Sequence, residues 1–221
     1  IVPLRLREGD EASCLNLNRA QMPRLLAVDP EMLARRESFT FTAAMPPHNR
    51  KEGWKLLNAA MPDGAVPAVA DSNTLTWALG RKVGDTVPYV DEQGRPFNLR
   101  IVGVIGSSIL QGGLIVAERQ FLERFPSISG YNVLLVNAPA GAAEAVREEL
   151  QRGLADLGVD LESAPRRLMD FAEVENTYLS IFAVLGGLGL LLGSVGLGVL
   201  VLRNVLERRS ELALLRAVGF T

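Results

Sequence analysis

The chain has 221 residues, 48% of them hydrophobic and 6% aromatic, and 23 Lys+Arg nearly cancel 25 Asp+Glu to leave a formal net charge of −2. That composition excludes a disordered chain, which lacks the apolar residues to fold, and an electrostatic nucleic-acid binder, which is basic on at least one face. One Cys and one His exclude an intrachain disulfide framework, a cysteine-clustered zinc site and a His-rich switch.

In chain order, residues 1–60 are the least legible. Gly9-Asp10-Glu11 and Met45-Pro46-Pro47 read as turns and Glu31–Glu37 as a short helix. The first residue, Ile1, raises the expectation of a longer parent protein, and the lone Cys14 is expected as an inert, buried hydrophobe. His48 sits in a Pro-rich turn with no Cys or Ser at a catalytic spacing, so it does not read as a base.

Val66–Ala70 is an apolar run between turn signals and reads as a strand, which Pro67 would confine to a sheet edge. Leu75–Leu79 is a small apolar patch ending at Gly80. Apolar alternation over Val83–Val90 and Phe97–Ile105, on either side of the polar turn Asp91–Pro96, predicts a β-hairpin. Gly106-Ser107-Ser108 reads as a loop, Leu114–Ala117 as a strand and Glu118–Phe125 as a short helix. Tyr131–Val136 predicts a strand and Pro139 opens a helix whose apolar residues Ala143, Val146, Leu150, Leu154 and Leu157 share one face. Gly158 caps it and Val159–Glu162 returns as a strand, so the unit reads as a small mixed sheet with helices on one face. The paired carboxylates Asp91-Glu92 and Glu148-Glu149 read as solvated charges.

From Pro165 the pattern is helical into Leu179–Leu202, which holds sixteen apolar residues, six Gly, two Ser and no charge. At about 1.5 Å per residue these 24 positions reach roughly 36 Å, enough for a hydrocarbon core of about 30 Å. Four Arg (Arg203, Arg208, Arg209, Arg216) follow the span, against Arg166 and Arg167 among Asp170, Glu173 and Glu175 before it. By the positive-inside rule the tail is cytoplasmic and residues 1–178 lie outside the membrane. Within the span Gly186, Gly189, Gly193 and Gly196 are spaced 3, 4 and 3, forming a stripe on which another helix could pack closely. No ionisable residue lies in the span, so no proton relay or ion path is expected there.

The tail Arg203–Gly219 is a helix former ending at Gly, with Leu212, Leu215 and Gly219 on one strip and Glu207 and Glu211 on a neighbouring one. Its chemistry suits a membrane surface or a partner protein equally. No phosphate-cradling GxxxxGK[ST] and no GxSxG occur, so no enzyme activity is expected of the chain itself.

The tail pattern E-R-x-x-E (Glu207–Glu211), an apolar run, then Arg216-Ala217-Val218-Gly219, placed directly after a span, resembles the FtsX-like permease family of ATP-binding cassette (ABC) transporters, which includes macrolide-exporter, lipoprotein-releasing and cell-division members. Leu79-Gly80-Arg81-Lys82-Val83-Gly84-Asp85-Thr86-Val87, then Gly94 and Phe97, then Ile101-Val102-Gly103-Val104, is similar to that family's extracytoplasmic domain. Together the two matches cover about residues 66–105 and 200–221.

The resemblance implies an α+β extracytoplasmic domain over 1–173, a transmembrane helix over 174–203 and a cytoplasmic coupling helix over 204–221, in a bacterial inner membrane. It implies a multi-span homo- or heterodimeric permease without a cofactor of its own, with ATP and Mg held by a partner ATPase. Glu207, Glu211, Leu212, Leu215, Arg216 and Gly219 would couple to that ATPase, and Gly186, Gly189, Gly193 and Gly196 would pack against other spans. Two other readings compete: a single-span receptor, sensor or anchored binding domain, and a membrane-anchored hydrolase for which the motifs are missing.

Overall fold

The computed structural model describes residues 1–10, 22–139 and 141–219, with all their side chains except those of Ala172, Val174, Glu175, Leu212 and Arg216. The expectation for Cys14 lies outside the described residues. The chain divides into two compact units, Ile1–Leu161 and Glu162–Thr221.

The first unit runs β1 (Val2–Arg7), β2 (Arg24–Val28), α1 (Pro30–Arg35), β3 (Phe41–Ala44), a 3-10 segment (Arg50–Asn58), β4 (Val66–Asp71), a π-helical turn (Thr74–Ala78), β5 (Thr86–Val90), β6 (Pro96–Ile105), β7 (Gly113–Ala117), α2 (Glu118–Leu122), β8 (Val133–Leu135), α3 (Ala143–Gly153) and a 3-10 turn (Ala155–Leu157). The strands form one mixed sheet in the order β3-β6-β4-β7-β2-β1-β8, with β5 also paired to β6.

Alternation along each central strand divides the apolar residues between the two faces. Leu25, Ala68, Ala70, Ile101, Leu114 and Val116 join one buried cluster with Leu75, Leu79, Phe121 and Phe125. Their neighbours Leu26, Val69, Val102 and Ile115 join a second, with Leu33, Trp54, Leu56 and Leu57. The π-helical turn and α2 therefore cover one face, and α1 and the 3-10 segment the other. The expectation of helices on one face only is corrected: the central strands are apolar at consecutive positions because both faces are packed.

The predicted hairpin forms, with Val90 opposite Pro96 and Tyr89 opposite Phe97. Asp91 shapes its turn, accepting the N–H groups of Gln93 and Arg95 at 2.9 and 2.8 Å and the Arg95 Nε at 2.7 Å. Asp91 is buried, not a solvated charge. Burial pushes its carboxyl up, but the Arg95 N–H and guanidinium outweigh that and hold it below the usual range. Glu92 is likewise engaged, accepting the Ser127 N–H at 3.1 Å.

Two strand expectations are corrected. β4 lies inside the sheet between β6 and β7, not at an edge. Pro67 is tolerated because the ladder to β7 covers Ala68–Ala70 alone, so no bond to that neighbour is lost at Pro67. Val159–Glu162 forms no strand, and the predicted strand–helix–strand unit is not completed. α3 contains no buried residue; Leu157 is 73% exposed and Val159 44%. Its apolar stripe is real, but no sheet face lies beneath it.

The second unit is α4 (Ala164–Glu207), one helix of 44 residues, and α5 (Arg209–Ala217).

Candidate span and terminal helix

α4 starts after Ser163 with Pro165 in its first turn, where a missing N–H costs nothing. It runs without interruption through the uncharged stretch to Glu207, and among the described residues it is the one helix long and apolar enough to cross a membrane. Its large side chains stand open, Phe182 at 69% and Leu190 at 74% exposure. In water such a surface would drive association; in lipid it is the low-energy state.

A Cβ added at Gly186, Gly189, Gly193 or Gly196 would meet no atom within 4 Å. The stripe thus carries no packing within this unit, and each glycine would be cheaply replaced by Ala, a better helix former, if helix stability alone set the choice.

The charged strip expected at Glu207 and Glu211 is divided. Glu207 closes α4, its Oε1 accepting the Arg203 Nε at 2.7 Å. Arg208 leaves helical geometry, and Glu211 falls in the first turn of α5, where the helix dipole favours a carboxylate. The single helix expected over the tail is therefore two, because one residue breaks the i,i+4 relation. Leu215 is 50% exposed, and Gly219 ends the tail at φ +92°, a left-handed conformation that suits glycine. Leu212 and Arg216 lie on α5, between Glu211 and Ala217.

Elsewhere the polar groups serve the fold. His48 Nδ1 lies 2.8 Å from Glu52 Oε2, while Glu52 Oε1 accepts the Asn49 N–H at 2.9 Å as half of a capping box. The Asn49 N–H, then His48, draw the Glu52 pKa down. No group of three or more His, Cys, Asp or Glu is arranged to hold a metal among the described residues.

One site is not visible in the sequence. Asp71 is fully buried at the end of β4. Its Oδ1 accepts the Asn73 N–H at 2.9 Å, but Oδ2 completes no hydrogen bond of full geometry. Burial pushes its carboxyl above the usual range, against the pull of the Asn73 N–H and of Ser108. Around it, Thr74 Oγ1 accepts the Gly112 N–H at 2.7 Å, Asn73 Nδ2 donates to Gln111 Oε1 at 3.3 Å and Arg24 donates to the Gln111 carbonyl at 2.9 Å. This network pins the loop between β6 and β7. Its members are up to 88 positions apart (Arg24 to Gly112), which is why spacing along the chain does not reveal it.

No family model matches the chain, and no curated protein matches it. Among solved structures it is similar to the periplasmic region of MacB from Actinobacillus actinomycetemcomitans, at 14% identity and a TM-score of 0.35, over 70% of this chain and 66% of that one.

Proposed function

We infer that the chain is part of an ABC transporter permease of the FtsX-like type. On this reading the α/β unit lies outside the inner membrane, the apolar part of α4 crosses it, and α5 docks on an ATPase. ATP hydrolysis belongs to that ATPase, and the chain transmits its motion to export or extract a substrate.

The observation that supports this most is α4 with its tail. An unbroken helix of 44 residues is a stiff element, and Arg208 alone separates it from the short helix bearing the Glu211, Arg216 and Gly219 pattern. Displacement of α5 would therefore be passed along α4 instead of being lost in a loop. The span has no charged residue to line a channel, which fits a transmitter better than a pore. The glycine stripe supplies a face for other spans of the permease or of a second subunit.

The test is at α5. Glu211→Arg reverses a charge that would face the ATPase, and Leu215→Ala leaves a void in a packed contact. Truncating an interface hot spot commonly costs about 2 kcal/mol or more, near thirtyfold in affinity. Co-purification of the ATPase and its stimulation by the permease should both fall, while membrane insertion persists. Parental binding and stimulation by both variants would favour the receptor or sensor reading, with α5 as a membrane-surface helix.

A further inference from the structure

The π-helical turn after β4 holds a tryptophan in the open. Trp77 is 72% exposed, whereas Leu75, Ala78 and Leu79 around it are buried. The turn is clamped at both ends. At its start are the bonds of Asn73 to Asp71 and of Thr74 to Gly112 already described. At its close the N–H groups of Leu79 and Arg81 reach the carbonyls of Thr74 and Leu75, each at 3.0 Å, with Gly80 at φ +59°. π-helical turns are rare and recur at functional sites. Here the backbone on both sides of the ring is held by hydrogen bonds and the ring itself is exposed.

Gly80, Arg81 and Lys82, beyond the ring, are exposed. The Arg81 and Lys82 side chains have no hydrogen-bond or ion-pair partner among the described residues. Asp85, the acidic residue next along the chain, turns its carboxylate to the Lys82 N–H at 2.8 Å. Trp77 is thus followed, four and five positions along the chain, by two exposed cations whose side chains make no ion pair among the described residues.

We propose that Trp77, Arg81 and Lys82 form a docking point for a protein partner that presents an apolar pocket rimmed by carboxylates. Tryptophan and arginine are the residues enriched at interface hot spots, and a turn fixed in advance removes the ordering cost of binding. A membrane surface fits less well: recognition of anionic lipid uses clusters of about four to eight basic residues, and two stand here. The surface goes beyond the permease reading and does not depend on ATPase coupling.

The experiment uses the full chain in its native cells with Trp77→p-benzoylphenylalanine. The protein cross-linked at position 77 is identified by mass spectrometry, purified and titrated against the parent chain in detergent. The expected result is a single protein adduct whose affinity falls about thirtyfold with Trp77→Ala. The double variant Arg81→Glu/Lys82→Glu should weaken binding most at low salt. Thermal midpoints of these variants should match the parent, because all three side chains are exposed. The proposal is overturned by adducts to lipid alone, by no adduct, or by an identified partner that binds Trp77→Ala as tightly as the parent.

Discussion

At Gly103 the backbone of β6 passes so close to side chains of the adjacent strand β3 and of the 3-10 segment that a methyl group has no room. A Cβ there would lie 2.9 Å from Phe41 Cε1 and 3.0 Å from Leu56 Cδ1, and both side chains are held in a buried cluster that includes Trp54. The register of β4 against β6 also shifts at this point, from Ala68 opposite Ile101 to Val69 opposite Gly103. Gly103→Ala is therefore expected to destabilise the protein by about 1–3 kcal/mol through overpacking, read as a lower denaturant midpoint. Asp71 makes a prediction of opposite sign. Folding raises its pKa, so the folded state holds this proton more tightly than the unfolded chain does. The resulting stability is complete below the ordinary carboxylate value and is lost as pH rises through the raised one. Asp71→Asn keeps an oxygen for the Asn73 N–H and removes the buried charge, so it should stabilise at pH 7 by on the order of 1 kcal/mol. The advantage should shrink as the pH of the unfolding measurement is lowered towards 4. An advantage independent of pH would show that the carboxyl is not what the network strains against.

Among the elements, α3 and α4 both expose apolar residues, for different reasons. α3 alternates an apolar stripe with a charged face tied by the Glu144–Arg147 and Glu149–Arg152 pairs, and the residues after it do not return to the sheet. α4 is apolar all round over its middle, the pattern of a helix surrounded by lipid or by other helices. The glycine stripe decides between those surroundings. Gly189→Leu with Gly193→Leu should leave insertion intact, since Leu is favourable in a bilayer. It should lower recovery of the assembled complex in detergent, because a close helix contact is blocked. Unchanged recovery would mean that the stripe faces lipid. The break at Arg208 concerns the same region: Glu207 pairs with Arg203 at the end of α4, while Glu211 stands in the first turn of α5.

For the whole molecule, the legible parts of the sequence were those whose signals are local. The hairpin was legible because Asp91, Gly94 and Pro96 punctuate two alternating runs, and β7 and α2 because an apolar run passes directly into a polar one that ends before Pro126. α4 was legible from its length and lack of charge. β1 and β2 carry local signals too: Leu4 and Leu6 alternate with Arg5 and Arg7, and Leu25–Val28 is an apolar run between Arg24 and Asp29. The position of β4, the covering of both sheet faces and the burial of Asp71 depend on residues brought together from distant parts of the chain, which no window along the sequence contains. The strand order has a consequence for biogenesis. β1 lies between β2 and β8, and Val2 stands opposite Leu135, about 130 positions away. A chain that emerges from the ribosome or a translocon N-terminus first must hold β1 with one side unpaired until nearly the whole unit has followed. Such distant pairings make folding slow and leave a strand edge open to proteases and to other nascent chains. The most vulnerable moment of this protein is set by topology before any of its residues reaches a partner.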